Sequence, residues 1–529
     1  AADRRDAAAD RRDAAADRRD AAADRRDAAA DRRDAAAGHA PGPSVLIVLW
    51  DTVRADRLSL YGHDRPTTPR LDALAPSSRV YEAAMSPGMW TVPAHGSLFT
   101  GLPASTHGAR VGWLWLDAHH LTLAEHLSAQ GYATYAWSSN PYLSEQTNLL
   151  QGFDTTHFSW RGDDALRAAA ATRSKLIDGD RSVEISPAWI PSGHGRGWPG
   201  HLTAVKDAAP VIVESFLSWV DELQPDAPFL AYLNFLEAHH PRVPSARSRA
   251  AVAPPDVVQR SLSADLSLFR LMAAMEGRGA LQPDEIEALA ATYDASLRDL
   301  DEATGELIDG LAARGRLDDT VVVVVSDHGE HLGEGGRFDH RWSVDQELLH
   351  VPLLIRYPAG VAPGREPRPV STRHLFGTLL QLTGADPPAG AALPTLQDGL
   401  QGTDPIVSEL VASTPRLPQV RRAFPDLDPT RWRRRFKVWF GGDLKYVLAD
   451  DDSQRLHDLS QPRPDAVDLA PQRPEVAAAH RGALQRWDRA RPRYRPELRT
   501  PTDHPGQPMA DDGALIRQLE QLGYTAEDE

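Results

Sequence analysis

Thr91 stands in the segment Met89-Trp90-Thr91-Val92-Pro93-Ala94-His95-Gly96-Ser97-Leu98-Phe99-Thr100-Gly101. An apolar opening, a hydroxyl residue, a Pro two places on and small residues before Leu98 and Phe99 predict a loop turning into a helix, with Thr91 at its N-terminus. Such a terminus presents unpaired backbone N–H groups and the positive end of the helix dipole, which suits an anionic tetrahedral group and a nucleophile attacking it. Taken alone, a Thr in this setting is more often a cap or turn residue. Two distant segments add weight to the chemical reading. Val45-Leu46-Ile47-Val48-Leu49-Trp50-Asp51 and Val321-Val322-Val323-Val324-Val325-Ser326-Asp327-His328-Gly329-Glu330 are apolar runs that end in acids. Runs of this kind read as strands buried on both faces of a parallel sheet. Sites in open α/β sheets lie at the carboxyl ends of strands, so Asp51, Asp327 and His328 are expected to converge.

A third group follows the apolar run Phe229 to Phe235, in Glu237-Ala238-His239-His240-Pro241. Pro241 stops any helix and leaves both imidazoles on a loop at a strand end, although one of them is equally readable as structural. A Gly-rich loop from Gly329 through Gly333, Gly335 and Gly336 to His340 extends the Asp327 segment.

The elements that must position these groups alternate along the chain. Predicted strands are Val45 to Trp50, Val80 to Ala84, Tyr132 to Ser138, Phe229 to Phe235, Val321 to Val325 and Val351 to Tyr357. Predicted helices are a short one opening at Pro69, Leu121 to Gln130 closed by Gly131, one capped by Asp207 with Ile212, Phe216, Leu217, Val220 and Leu223 on its apolar face, 284 to 313, and His374 to Gly384. Residues 54 to 62 read as a loop. The βαβα order predicts an α/β fold, a large mostly parallel sheet with helices on both faces.

From 160 to 205 the pattern gives way to Gly, Pro, Trp and His, which reads as a surface insertion ahead of a substrate-shaping lid. Composition shifts again near 385 to 405. Beyond it, Arg431-Trp432-Arg433-Arg434-Arg435-Phe436-Lys437 feeds the strand Val438 to Phe440, and Lys445 to Val447 is a further strand. The basic run reads as a strand edge rather than a nucleic-acid patch. A Pro- and Arg-rich stretch from 461 to 506 and a short helix, Ala514 to Leu522, follow. The expected organisation is a repeat over 1–37, a linker over 38–44, a catalytic α/β domain over 45–390, a smaller C-terminal α+β subdomain over 391–500 and a tail over 501–529. The repeat is five copies of Ala-Ala-Asp-Arg-Arg-Asp-Ala. Its only apolar residue is Ala, so it reads as a helical or disordered spacer rather than a coiled coil.

Composition narrows the partners. In a chain of 529 residues with 41% apolar composition there is material for a sizeable core. The formal charge of −16 argues against nucleic acid. Zero Cys removes disulfides, thiolate metal sites and Cys nucleophiles together. No run approaches the roughly 18 apolar residues of a membrane span. The sequence opens on Ala rather than Met, which is compatible with a signal peptide or anchor upstream.

Taken together the segments resemble the sulfatase family of the alkaline phosphatase superfamily, in recognisable order from Val45 to about Gly384. Leu49-Trp50-Asp51-Thr52-Val53-Arg54-Ala55-Asp56 is similar to the family's first metal strand, and Thr91 to Gly101 to its nucleophile loop and helix. Glu237 to Pro241 resembles the loop with a substrate-contacting His, Ser326 to Glu330 the second metal segment, and His340 a further substrate-contacting base. Two departures matter. Sulfatases proper carry Cys or Ser, oxidised to formylglycine, then Pro and Arg at two-residue steps; here the positions read Thr91, Pro93 and His95. Thr has a Cβ methyl and cannot give that aldehyde. Two consecutive acids are also common after the first strand, whereas Asp51 is followed by Thr52.

The resemblance implies one divalent ion on Asp51, Thr91, Asp327 and His328, as in the Thr-dependent phosphodiesterase and phosphonate hydrolase relatives. The donor set favours Zn²⁺ or Mn²⁺, while Ca²⁺ is compatible with relatives carrying His there; a second metal is not expected. Thr91 would be the nucleophile, with His239 or His340 as proton donor and oxyanion contact. His95, His239, His240, His340 and Glu237 are the candidate substrate contacts, His95 being equally a helix cap and Glu237 a group that could orient His239. The substrate expected is a small-molecule, glycan or lipid anionic ester, phosphate esters or diesters somewhat ahead of sulfate esters. A genuine sulfuric ester hydrolase, a phosphoethanolamine- or phosphoglycerol-type transferase and a non-catalytic glycan- or polyanion-binding member are the alternatives.

Overall fold

The computed structural model describes residues 42–495 apart from 111–112, 169, 171–207, 241, 265, 267, 341, 386–392, 403, 412–423 and 427. The N-terminal repeat, Asp207, Pro241, most of the 160–205 insertion and the expected helix from Ala514 therefore lie outside the described residues.

The strand predicted before Asp51 is β1, Ser44–Trp50, buried along its whole length. Its side chains alternate between two cores. Val45, Ile47 and Leu49 join one cluster with Leu98, Phe99 and Leu379. Leu46, Val48 and Trp50 join another with Tyr293, Leu297 and Leu300. A strand dry on both faces is what an unbroken apolar run encodes.

The remaining strands of the main sheet are β2 (Arg79–Tyr81), β3 (Ala133–Ser138), β4 (Thr155–Phe158), β5 (Phe229–Phe235), β6 (Thr320–Ser326), β7 (Leu353–Arg356) and β8 (Gly364–Glu366). Their order is β8-β2-β7-β6-β1-β5-β3-β4. Only β7 runs antiparallel to its neighbours. β1 lies between β5 and β6 in parallel register, with Trp50 opposite both Phe235 and Ser326. The chain therefore leaves all three strands at one level, and that register places Asp51, the Leu236–His240 loop and Asp327 side by side.

Helices cover both faces. α1 (Thr91–Thr100), α2 (Ala209–Glu222), α3 (Pro283–Ala313) and α4 (Leu375–Thr383) are joined later by α5 (Pro474–Ala490). α3 packs under β1, with Trp50 Nε1 donating to Thr304 Oγ1 at 3.1 Å. α1 is buried all round and ends at Gly101, whose φ of 70° a side chain would disfavour.

Several expectations change in detail. The strand expected over Val80 to Ala84 is two short strands in different sheets, Arg79–Tyr81 and Ala84–Met85. Val351 to Tyr357 is likewise divided at Pro352, which lacks the N–H a ladder needs. The helix expected from Leu121 begins at Leu123 with a Thr122–Glu125 capping box. The loop over 54 to 62 contains two 3₁₀ turns, Ala55–Arg57 and Ser59–Tyr61. That loop is held by Asp294 of α3, which accepts from Arg57 Nη2 at 2.6 Å and Arg65 Nη1 at 2.8 Å and meets His63 Nε2 at 3.3 Å. Burial alone would raise the Asp294 carboxyl, but His63 and Arg57 hold it below its ordinary value. Replacing Asp294 by Asn leaves these cations facing a neutral amide, and urea unfolding is expected to show a loss of about 3 kcal/mol.

Beyond α4, strands β9 (Ile406–Leu410), β10 (Phe436–Gly441), β11 (Leu444–Ala449) and β12 (Gln454–Asp458) form a four-stranded antiparallel sheet in chain order. α5 packs on it through Ala477, Leu484 and Trp487. This helix lies inside the stretch read as Pro- and Arg-rich, where charge concealed a three-residue apolar face. Cations of the basic run that leads into β10 are paired with acids. Arg434 pairs with Asp450 and Asp451, and Lys437 with Asp488. No described helix is long and apolar enough to cross a membrane.

Candidate active site

The three strand ends deliver their cargo together. Ligand atoms of Asp51, Asp327 and His328 lie within 4.8 Å of one another, and all three residues are buried. Asp327 Oδ1 accepts from the backbone N–H of Thr52 at 3.2 Å and of His328 at 2.9 Å. Its Oδ2 has no hydrogen-bond partner among the described residues and sits 3.3 Å from His328 Nε2. Burial, and next the charge of Asp51, push the Asp327 carboxyl well above its ordinary range. Two desolvated carboxylates beside an imidazole fit a divalent cation, whose charge offsets their repulsion.

His328 Nδ1 lies 3.0 Å from the Gly329 carbonyl. Donation there fixes the tautomer in which Nε2 carries the lone pair and is the nitrogen a cation would meet. The loop has no space to relax, since a Cβ on Gly329 would come within 2.0 Å of the Glu347 carbonyl. Thr52, next to Asp51, has φ 62°, a costly value for a β-branched residue. Its carbonyl accepts from Tyr293 Oη at 2.6 Å and its N–H is held by Asp327, so hydrogen bonds on both sides maintain the conformation.

Thr91 is the first residue of α1 and is fully buried. It reaches the acidic cluster through Asn140, just past the end of β3. Asn140 Nδ2 lies 2.8 Å from Asp51 Oδ2 and 3.2 Å from Thr91 Oγ1. Asn140 is itself anchored, its N–H and that of Ser139 donating to Asn234 Oδ1 of β5.

His95 has both nitrogens engaged beneath the site. Nδ1 lies 2.8 Å from the Thr91 carbonyl and Nε2 2.6 Å from Tyr232 Oη. Burial lowers the His95 pKa to about 4 against the pull of the Thr91 carbonyl, so the ring is neutral and donates from Nδ1. Tyr232, kept protonated by burial and then by Asp327 and Asp51, donates to Nε2. This arrangement braces the first turn of α1.

His239 is buried, and its Nδ1 lies 2.6 Å from the His240 carbonyl; His240 is partly exposed. Glu237 turns elsewhere, its Oε1 accepting from the Ala209 N–H at the start of α2 at 3.0 Å. Glu237 thus meets that helix end from the turn after β5. His340 completes the group, its ring centroid 5.3 Å from that of His239 and 4.5 Å from that of His328. Glu330, quoted in the Asp327 segment without a role, contacts His340 Nδ1 at 3.1 Å and Arg242 Nη2 at 2.7 Å. Asn140, Arg242 and Tyr232 are the participants that sequence reasoning missed. An uncharged Asn beyond a buried strand was the one available signal.

This arrangement has relatives. The family model described as Sulfatase matches residues 43–385. The chain is 26% identical over 375 residues to an ulvan-active sulfatase of Formosa agariphila, a match spanning 69% of this chain and 66% of that protein. It is 31% identical over 184 residues to a choline-sulfatase of Rhizobium meliloti, spanning 34% and 32%. Among solved structures, the phosphonate monoester hydrolase of Agrobacterium radiobacter superposes with a TM-score of 0.63 at 21% identity, covering 84% of this chain and 95% of that one. A 2-O GAG sulfatase superposes with a TM-score of 0.60 at 15% identity, covering 84% and 92%. The two structural likenesses speak to the fold alone. With the family model spanning the whole stretch from β1 through α4, this chain belongs to the sulfatase family.

Proposed function

We propose that this chain is a metal-dependent hydrolase of anionic esters, phosphate or sulfate, with Thr91 as its nucleophile. The observation that carries the reading is the Asn140 amide, which joins Thr91 Oγ1 to Asp51 beside Asp327 and His328. We assign residues 45–390 as the catalytic unit and 391–500 as a smaller subdomain. A shared core of Met85, Met89, Ile406, Val438 and Phe440 supports their close association beside the loop that leads into α1.

Asp51, Asp327 and His328 would hold a divalent cation with Thr91 alongside, Zn²⁺ or Mn²⁺ suiting the mixed oxygen and nitrogen donors and Ca²⁺ being the alternative. Such an ion supplies positive charge that acidifies a hydroxyl and offsets the charge of the ester. The protein does the rest. Asn140 and the His95 brace orient Thr91 on the first turn of α1, whose dipole favours an anion. Thr91 Oγ gives up its proton to solvent and forms a bond to phosphorus or sulfur as the bond to the leaving oxygen breaks, and His239 or His340 gives that oxygen a proton. Water then attacks the same centre and returns a proton to Thr91 Oγ, releasing the inorganic anion from a monoester or a phosphate monoester from a diester, and solvent restores the imidazole proton.

Phosphate esters and diesters are favoured slightly, because Thr91 cannot yield formylglycine. A genuine sulfatase is the second reading, and the sulfatase names of the matched relatives favour it. Turnover of matched aryl sulfate, phosphate monoester and phosphate diester by the purified protein with Zn²⁺, Mn²⁺ or Ca²⁺ decides between them. Preferential phosphate ester cleavage supports the first and preferential sulfate cleavage the second. Silence on all three with metal bound would point to a glycan- or polyanion-binding protein, and transfer to an added alcohol would point to a transferase.

A further inference from the structure

Arg242 and Glu330 form an ion pair that is 3% and 1% exposed, with Nη2 2.7 Å from Oε2. Removing two charges from water costs more than such a pair generally returns, so stability alone is a poor explanation for it. Its placement offers another. Arg242 Nε donates to the Ala238 carbonyl at 2.7 Å, one residue before His239, and the guanidinium lies over the Tyr293 ring at 4.9 Å. Glu330 is fixed from a second side, since Arg54 Nη1 donates to its backbone carbonyl at 3.1 Å. The Glu330 oxygen not engaged by Arg242, Oε1, faces His340 Nδ1 at 3.1 Å. Asp339 Oδ1 also lies near Nδ1, at 3.0 Å. His340 Nε2, on the opposite edge of the ring, is fully buried and has no hydrogen-bond partner among the described residues.

We propose that Glu330, braced by Arg242, is a positioning residue that accepts the Nδ1 proton of the His340 imidazolium, so that the second proton, on Nε2, faces the leaving oxygen of the substrate. The inference rests on the hydrolase reading above and adds to it a choice between the two candidate proton donors, in favour of His340. Because Arg242 spans from the His239 loop to Glu330, both imidazoles are located by one guanidinium. The same residues, Glu330, Asp339 and His340, have metal-ligand spacing. Engagement of both Glu330 oxygens by Arg242 and His340 argues for a strut rather than a second cation.

The test is Glu330→Gln. Arg242 only donates, so the Gln oxygen must face it and the Gln amide N–H₂ must face Nδ1, which opposes a proton there. In Zn²⁺-loaded protein with ¹⁵N-labelled histidine, the His340 signals are identified by their loss in His340→Gln. Glu330→Gln is expected to move Nδ1 toward the shift of an unprotonated nitrogen, and Asp339→Asn is expected to leave it in place. An unchanged Nδ1 in Glu330→Gln overturns the proposal. In kinetics, Glu330→Gln is expected to lower kcat on an alkyl ester about 100-fold and on the 4-nitrophenyl ester less than about fivefold, whose departure needs little proton donation, with KM within about twofold. Equal losses on both esters would mark a merely structural role. Bound metal is expected to stay at one ion per chain, and a fall from two to one would assign Glu330 to a second cation instead. A wild-type protein silent on every ester would refute the hydrolase reading, while the ¹⁵N shifts would still decide the role of Glu330.

Discussion

Thr91→Ala is expected to lower kcat on the best ester at least about 10⁴-fold while the protein stays folded, because no other hydroxyl among the described residues is held by the Asn140 amide. The loss should fall on kcat rather than KM, since the groups that would bind the anion remain. Thr91→Ser keeps the oxygen and removes only the methyl, so it should retain activity within about 100-fold of wild type. Rapid quenching of the wild-type reaction should show Thr91 carrying one additional phospho or sulfo group in peptide mass spectra, and the Ala variant should show none. If Thr91→Ala kept more than a tenth of the activity, the nucleophile would have to be water, and α1 would merely shape the pocket.

The second large effect concerns stability and has opposite signs with and without metal. Asp51 and Asp327 are buried together, and Asp327 resists ionisation through burial and the Asp51 charge. Asp327→Asn keeps an oxygen for the Thr52 and His328 N–H groups. Its amide nitrogen takes the place of Oδ2, 3.3 Å from His328 Nε2, to which it can donate. In EDTA-treated protein the variant should therefore be more stable than wild type by about 1 to 3 kcal/mol, read as a rise of a few degrees in Tm. Adding Zn²⁺ should reverse the order. The wild type gains about 4 kcal/mol at a thousandfold excess over Kd, and the variant, stripped of a ligand charge, gains little. Activity should vanish in the variant. A variant less stable than wild type in EDTA would refute carboxylate repulsion at this site.

The parts of this site legible in the sequence were those whose position follows from burial. Asp51 and Asp327 each end an apolar run, and two dry parallel strands leave few ways to arrange their ends other than side by side. Thr91 was legible for a similar reason, since Gly101 and the small residues of α1 marked a helix and hence its start. What escaped was pairing across the chain. Glu330 and Arg242 are 88 residues apart and Asn140 and Asp51 are 89 apart, and nothing local marks either contact. Glu237 shows the same limit from the other direction. Its place after β5 suggested a partner for His239, but the N-terminus of α2 offered its carboxylate a donor that sequence order does not reveal. α5 escaped because only Ala477, Leu484 and Trp487 mark its buried face, among Ala, Gly and charged residues.

The central seat of β1 also bears on how the protein comes to be made. Thr52 and Asp327 are in contact yet 275 residues apart, so the first strand leaves the ribosome long before its β6 neighbour exists. At a translation rate of about 5 to 20 residues per second, that interval is roughly 15 to 55 s. Throughout it, a seven-residue strand with no polar face waits for a second partner. Occupancy by other chains is the hazard in that interval, and a chaperone that shields β1 should raise the yield of active protein more than one acting after release. A cation held by Asp51, Asp327 and His328 could not help during this wait, because Asp327 and His328 follow β6 in the chain.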